Sequence, residues 1–314
     1  MKIYTTTFPT RPDNVMACAI VRMSSLERDT PILPLEQLPA EKNDDDVVFG
    51  GKGGHDPSEE IYADPGDLEH SNGAPYSTAG LAWDAYGRDV VGAFLGEYPE
   101  WAQYVDSAHL FETVRGTLIA GIDAAAAGRL HLEARIRVPK DREPPKAYVP
   151  VLPRMLADYN VSALDATRMS RQQLVKAQRR DFEDAVELAT ESLANSLRHH
   201  LLRFATPELI KGLPDLGGFL ELPSGFLPWQ EGVFARPDHK SIHFVTFPCA
   251  FSRQEYWMVQ AVPKSPKKRA MSKTVFPEEA KAWEGMVSLN RRWLARVENR
   301  EAAYEIVRRV LRSP

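Results

Sequence analysis

Six acidic and histidine side chains in the first 123 residues are of the types that hold a divalent metal ion. They are Asp13, His55, Asp56, Asp64, His70 and Asp123. Carboxylate and imidazole bind Mn²⁺ and Mg²⁺, and a bound ion can activate water for phosphoester hydrolysis. One mononuclear site built from these residues is therefore one hypothesis. The alternative is that these side chains cap turns or face solvent.

Two other stretches suggest contact with phosphate. The run Gly50-Gly51-Lys52-Gly53-Gly54 could cradle a phosphate group, although it matches neither the P-loop nor the dinucleotide fingerprint. Residues 264–273 carry five positive charges and no acid, on Lys264, Lys267, Lys268, Arg269 and Lys273. This basic loop is predicted to contact a polyanion. The alternative is a solvated loop that only adds solubility.

Composition limits the class of protein. The chain has 314 residues, of which 43% are hydrophobic and 26% charged, and this mixture is typical of a globular protein with room for two domains. A formal charge of -4 means that nucleic-acid binding would depend on a local basic surface. Two cysteines give neither a zinc spacing nor a disulfide framework, and no stretch reads as a signal peptide or a membrane span. We expect a cytoplasmic protein.

The elements that must position these side chains follow an α/β pattern. Residues 3–7 are predicted to form a strand, residues 14–22 a helix, and residues 46–51 a second buried strand. Asp13 lies at the turn between the first strand and its helix, where α/β folds place their binding crevices. Ser77 or Thr78 is predicted to cap a further helix with Leu81 and Ala85 on its inner face.

Later segments predict a second domain. A helix over residues 101–122 is expected to be interrupted near Gly116, and the longest helical pattern covers residues 171–204. Pro207 and Pro214 are expected to break that pattern. Residues 218–222, 242–247 and 256–262 then read as strands. We therefore predict a doubly wound, mainly parallel α/β domain over residues 1–205, and a smaller mixed α+β domain over residues 206–314, with a substrate crevice between.

Several motifs together resemble a known family. The helix Asp13-Asn14-Val15-Met16-Ala17-Cys18-Ala19 and the run Ser71-Asn72-Gly73-Ala74-Pro75-Tyr76 are similar to the melanocyte-proliferating-gene exonuclease family, a branch of the DHH phosphoesterase superfamily of metal-dependent hydrolases. Later landmarks, such as Pro228-Trp229-Gln230-Glu231, follow in the family's order. The resemblance implies a DHH-like fold across nearly the whole chain.

The same alignment shows which ligands are missing. Thr6 and Arg11 stand where the family has two histidines, and Phe49 stands where it has a metal-binding Asp. Ala126 and Ala127 replace an acid and an amide. Only two family acids remain as candidate catalytic residues, Asp13 and Asp123. A two-metal site needs about six protein ligands, so the resemblance does not predict one here.

Two functions follow from this comparison. One is a degenerate relative that binds RNA, DNA or a nucleotide without two-metal hydrolysis and has no metal cofactor. The other is an active phosphodiesterase or 3′ exonuclease with remodelled ligands for Mn or Mg. An oligomer or a protein partner would be compatible with either. Arg296 and Arg300 fall in the segment that contains glycines in the family, and they join Lys52 and the basic loop as candidate substrate-binding residues.

Overall fold

The structure is a computed structural model of the full chain. It describes residues 2–5, 11–24, 30–34, 43, 45–54, 56, 60–64, 66–128, 152–225, 227–250, 255–265, 272 and 274–312. The chain divides into two compact units, an N-terminal unit Met1–His200 and a C-terminal unit Leu201–Pro314. Among the helices of the described residues, none combines the length and the apolar character needed to cross a membrane.

The N-terminal unit contains a four-stranded sheet in which all neighbours are parallel. Its strands are β1 (Ile3–Thr5), β2 (Ile32–Pro34), β3 (Val47–Gly54) and β4 (Ile61–Asp64), in the order β2-β1-β3-β4. The mainly parallel sheet predicted from the sequence is therefore confirmed. The chain moves to one side of β1 and then returns to the other, so β1 and β3 flank a point where the strand order reverses. Ligands of α/β folds bind at such points.

Eight helices of the described residues begin in the N-terminal unit. They are α1 (Pro12–Ser24), α2 (Thr78–Glu97), α3 (Pro99–Ala102), α4 (Ser107–Val114), α5 (Ala120–Ala126), α6 (Leu152–Ala157), α7 (Ala163–Ala166) and α8 (Arg171–Gly212). Helix α1 packs against α2, and every residue from Val15 to Val21 is buried. This is why its sequence is apolar on all sides.

The interruption expected near Gly116 is a π-helical turn. Residues Arg115–Ile119 form that turn and join α4 to α5 without a break. A π turn rotates the residues that follow it, and such turns often occur beside functional sites. Here the turn leads directly into the segment that carries Asp123.

Three sequence predictions need correction. Helix α8 does not end near residue 204 but continues through Pro207 to Gly212. Ala85 is exposed, and the inner face of α2 is instead formed by Leu81, Ala82 and Trp83. Strand β4 was missed, because its four residues are too few to show an alternating pattern.

The C-terminal unit is a mixed five-stranded sheet with helices on it. Its strands are β5 (Phe219–Glu221), β6 (Phe244–Ala250), β7 (Glu255–Ala261), β8 (Met286–Asn290) and β9 (Leu294–Val297), in the order β5-β6-β7-β9-β8. Its helices are α9 (Trp229–Ala235) and α10 (Arg300–Arg312), with a 3₁₀ turn at Glu278–Ala282. Only the β5–β6 pair is parallel. The mixed α+β prediction is confirmed.

Helix α10 covers one face of this second sheet. Its buried residues Ala303, Ile306, Val307 and Val310 recur at three, four and seven positions, which is one side of a helix. They pack with sheet residues that include Phe244 and Val259. The opposite face packs against α9 through Val233.

Two glycines of α2 provide a matched test of the packing. A Cβ at Gly87 would lie 2.5 Å from the ring of the fully buried Trp83, whereas a Cβ at Gly92 would meet nothing within 4 Å. Gly87→Ala should lower the free energy of unfolding by about 1–3 kcal/mol, because a tightly packed core resists an added methyl group. Gly92→Ala should raise it by about 0.5–1 kcal/mol through helix propensity.

Urea unfolding of both variants and the parent measures the two effects. Equal changes in the two variants would show that the ring of Trp83 does not lie against this side of the helix.

Candidate functional site

Asp13 is a buried carboxylate held by an arginine. It lies in the first turn of α1, directly after β1, and its side chain has no exposed surface. Arg11 Nε donates to Asp13 Oδ1 at 3.2 Å, and Arg11 Nη2 donates to Oδ2 at 2.9 Å. The planar guanidinium therefore pairs with both carboxylate oxygens at once, as arginine does at its strongest contacts. The protein itself supplies a positive charge at this acid.

The neighbouring strand contributes an aromatic ring instead of an acid. Phe49 is fully buried on β3, where its Cα pairs with that of Thr5 on β1. Its ring centroid lies 5.6 Å from that of Tyr62, whose hydroxyl lies 3.2 Å from the hydroxyl of Tyr86. A benzene ring cannot bind an ion, so this packed aromatic cluster occupies the position that the family resemblance gives to a ligand.

Asp123 forms the centre of a second buried polar cluster, on α5. His70 Nε2 lies 2.6 Å from Asp123 Oδ2. Ser77 Oγ donates to Asp123 Oδ1, and the backbone N–H of Gly80 donates to the same oxygen at 3.1 Å. The loop before α2 and the start of α2 thus provide three groups around one carboxylate. His70 and Asp123, predicted from the sequence as members of one site, do lie together.

This cluster is not a nucleophilic triad. In a Ser-His-Asp triad the imidazole bridges the hydroxyl and the carboxylate. Here the carboxylate of Asp123 bridges Ser77 and His70, so the imidazole does not accept the hydroxyl proton. His70 Nδ1 is buried and makes no hydrogen bond to any described residue. The arrangement holds the carboxylate but does not activate Ser77 for attack.

Burial dominates the acidity of Asp123. Loss of solvent raises the pKa of its carboxyl above the ordinary value of 3.8, while the hydrogen bonds from His70 and Ser77 act in the opposite direction. Gly80 is required for this close approach. A Cβ at that position would lie 2.3 Å from Asp123 Oδ2, which is closer than any real side chain permits.

A charged network lies beside the cluster. The Tyr76 hydroxyl donates to Asp84 Oδ2 at 2.9 Å and accepts from Arg115 Nη2. Arg115 Nη2 also lies 3.5 Å from Asp84 Oδ1. The rings of His70 and Tyr76 are 4.2 Å apart at their centroids. The network therefore connects the start of the π turn, through Tyr76, to the buried histidine.

A cavity of about 330 Å³ opens next to these residues. It lies between the turn at residues 72–75 and the side of the π turn and α5 that carries Gly116 and Thr117. It is lined by small residues and a few polar groups, from Asn72, Pro75, Gly116, Thr117, Gly121 and Ala124. Asn72, Gly116 and Thr117 are exposed, so the cavity is an open depression in the surface.

The remaining candidate ligands, His55, Asp56 and Asp64, lie only partly within the described residues. Among the described side chains, no group of three His, Cys, Asp or Glu residues is placed to hold a metal ion. Asp56 makes a backbone bridge with Ile61. His55 and the side chain of Asp64 lie outside the described residues. The mononuclear site built from all six residues thus remains a prediction.

The candidate substrate-binding residues have separate surroundings. Arg296 lies 4.7 Å from the Tyr256 ring centroid, and Arg300 donates to Glu221 at 2.9 Å. Lys264 is exposed. The side chain of Lys52 and all of Lys267, Lys268 and Arg269 lie outside the described residues. The proposed phosphate loop and basic loop therefore stay predictions.

Two participants were not predicted from the sequence as site residues. Ser77 was interpreted as a possible helix cap, but its hydroxyl makes no cap bond and binds Asp123 instead. Arg11 was identified only as a departure from the family pattern. An arginine two residues before a buried acid is the signal that could have indicated the ion pair.

Comparison with known proteins finds one family. The family model MYG1_exonuc, described as an uncharacterised protein family (UPF0160), matches residues 3–290. No curated protein matches the chain. No solved structure matches it either.

The raised pKa of Asp123 predicts how Asp123→Asn changes stability with pH. A carboxyl whose folded pKa exceeds its unfolded value favours folding below the unfolded value, and this contribution is lost as the pH rises through the folded pKa. Asparagine does not titrate. The free energy of unfolding of Asp123→Asn, relative to the parent, should therefore rise as the pH increases from about 4 towards neutrality.

Chemical denaturation at a series of pH values measures this difference. Asp89→Asn, the same change on the exposed side of α2, gives the baseline for removing one surface carboxylate. A relative stability that falls with pH would show that His70 holds Asp123 as a favoured carboxylate.

Proposed function

The chain belongs to the MYG1 exonuclease family (UPF0160), and from this membership we propose that it binds nucleic acid or a nucleotide without two-metal hydrolysis. On this proposal the protein is a pseudoenzyme that keeps the fold of the family and two of its acidic site residues. The proposal rests on one observation above the others, the pairing of Asp13 with Arg11.

The ion pair between Arg11 and Asp13 supports the proposal that one of the two metal ions is no longer bound. Both oxygens of Asp13 accept hydrogen bonds from one guanidinium, so a metal ion would have to bind this carboxylate beside a cation. Arginine keeps its positive charge at all physiological pH values, so it repels a divalent cation and cannot itself bind one. In a family whose relatives place a histidine there, this exchange replaces a ligand by a cation.

The surroundings of Asp123 point in the same direction. Its two oxygens accept from Ser77 and Gly80 and contact His70, so protein groups already satisfy the buried charge. Two acids held in this way do not fit a pair of ions that needs about six ligands. No hydrolytic step through such a pair follows from these residues.

The binding half of the proposal rests on features that remain. Phe49 lies opposite the last residue of β1, between the two strands where the order of parallel strands reverses, which is the usual ligand position in α/β sheets. The turn at residues 72–75 belongs to the most specific family motif, and it lines the cavity beside Asp123. The chain could therefore still bind a phosphoester after it has lost the ability to hydrolyse one.

One observation favours the alternative of an active, metal-dependent phosphodiesterase. His70 Nδ1 is buried, lacks a hydrogen-bond partner among the described residues, and sits on an imidazole already fixed by Asp123. Carboxylate–histidine pairs of this kind orient metal ligands. One ion at His70, completed by residues outside the described part, would give a mononuclear hydrolase.

Metal content and cleavage together test the proposal. The parent, purified with manganese and then dialysed, should hold no stoichiometric Mn and should not cleave a labelled single-stranded oligonucleotide. The double variant Thr6→His/Arg11→His should gain up to about one Mn per chain, since it removes a cation and restores the two imidazoles of the family pattern.

A matched control separates the loss of arginine from the gain of imidazole. Arg11→Lys keeps the positive charge beside Asp13, so it should bind no more Mn than the parent. Two Mn ions per parent chain, with cleavage that disappears on chelation, would overturn the proposal and establish the active alternative.

A further inference from the structure

The two units of the chain carry opposite charge. Residues 1–200 contain 21 Lys and Arg against 31 Asp and Glu, a net charge of -10. Residues 201–314 contain 18 Lys and Arg against 12 Asp and Glu, a net charge of +6. The overall charge of -4 conceals this separation. Such asymmetry between parts of one chain suggests that the positive part meets a polyanion.

One helix of the positive unit carries a regular basic row. Arg300, Tyr304, Arg308 and Arg312 follow one another at four-residue intervals along α10. Residues four apart share a helix face, so these side chains form one row about 18 Å long. We call it the α10 row. The apolar side of the helix is buried against the sheet and Tyr304 is partly buried there, whereas Arg308 and Arg312 are exposed.

Aromatic rings alternate with the arginines of this surface. The Arg300 guanidinium lies 5.3 Å from the Tyr304 ring centroid and 6.0 Å from that of Trp257. The Arg308 guanidinium lies 5.8 Å from the Tyr304 ring centroid. On the far flank of α10, Arg309 lies 4.3 Å from Trp283. Such contacts occur about once per 70–80 residues in proteins, so this helix is unusually rich in them.

Two charges of the α10 row are not neutralised. Arg300 pairs with Glu221 at 2.9 Å, and the Tyr304 hydroxyl donates to the same carboxylate. Arg308 and Arg312 are exposed and have no acidic partner within the described part of the chain. Their guanidinium groups keep all their donors for phosphate oxygens.

We propose that the α10 row is a binding surface for single-stranded nucleic acid. Arg308 and Arg312 contact successive backbone phosphates, and the exposed parts of Tyr304 and Trp257 stack on unpaired bases. A basic track with interleaved aromatic rings is the combination that single-stranded nucleic acid needs, and paired bases cannot reach such rings. A membrane surface is disfavoured, because the apolar side of α10 is already buried.

This inference rests on the proposed nucleic-acid binding and assigns it a location. Fluorescence anisotropy with a labelled mixed-sequence oligonucleotide, from about 50 to 200 mM salt, measures affinity and its salt dependence. The full-length double variant Arg308→Ala/Arg312→Ala should bind more weakly. The slope of log affinity against log salt should flatten by about 1.4, because each lost phosphate contact removes about 0.7.

Two variants serve as controls. Lys240→Ala/Lys281→Ala removes the same charge from exposed positions of the same unit, and its slope should equal that of the parent. Arg308→Lys/Arg312→Lys keeps the charge, so the slope should stay while affinity falls several-fold through the loss of the planar fork. All three double variants change exposed residues, so the urea midpoint of unfolding should not move.

The outcomes separate the two proposals. If the parent binds no oligonucleotide at low salt, both the nucleic-acid proposal and the α10 row fail. If the parent binds and Arg308→Ala/Arg312→Ala keeps the parental slope, the α10 row alone is overturned. A loss of slope only in Lys267→Ala/Lys268→Ala/Arg269→Ala would give the site to the basic loop instead.

Discussion

A carboxylate without exposed surface needs a partner, and the pairing of Asp13 with Arg11 is the constraint on which this account depends. The acid lies in the first turn of α1, the helix that follows β1 along the chain. An uncompensated charge there would cost several kcal/mol, so a cation or a proton must accompany it. In a metal-dependent relative the cation is an ion held by several ligands. Here the cation is the Arg11 side chain, two residues away. Under the function proposed above, the other ligands become dispensable, so that Phe49 can fill the sheet and Ala126 can form the last residue of α5.

The buried carboxylate of Asp123 also has protein groups as partners, although these are different from the arginine that pairs with Asp13. Its burial disfavours the charged form, and three protein groups oppose that effect. Gly80 allows the approach, and Ser77 supplies a hydroxyl that would otherwise cap α2. Once these groups surround the carboxylate, it can stay buried without an ion. Both retained acids therefore have structural reasons to persist, whether or not they take part in chemistry.

The sequence predicted those parts of the fold in which periodicity is strong. Strands β1 and β3, helix α1 and the interruption at Gly116 follow from apolar runs and glycine. Strands β8 and β9 did not, because β8 is largely exposed and the turn after it uses Arg291 and Arg292 at φ angles of 48° and 59°, where Asn or Gly would be expected. Pro207 did not end α8, since tertiary packing of Ala205 and Ile210 outweighs the lost hydrogen bond. At the site, the sequence analysis placed His70 and Asp123 in one hypothetical metal site, but not in direct contact with each other. The contacts of Ser77 with Asp123 and of Arg11 with Asp13 could not be predicted, because the spacing of residues along the sequence does not show which side chains meet in the folded protein.

A double-mutant cycle between Arg11 and Asp13, measured with and without Mn²⁺, tests the central claim most directly. The single changes Arg11→Ala and Asp13→Asn and their combination give the coupling free energy of the pair. The account predicts a favourable coupling of about 1.5–3 kcal/mol, as expected for a hydrogen-bonded charge, and the same value when Mn²⁺ is added. Additive effects of the two changes, or a coupling that disappears as Mn²⁺ stabilises the parent, would show that Asp13 is a metal ligand and that Arg11 does not replace the ion.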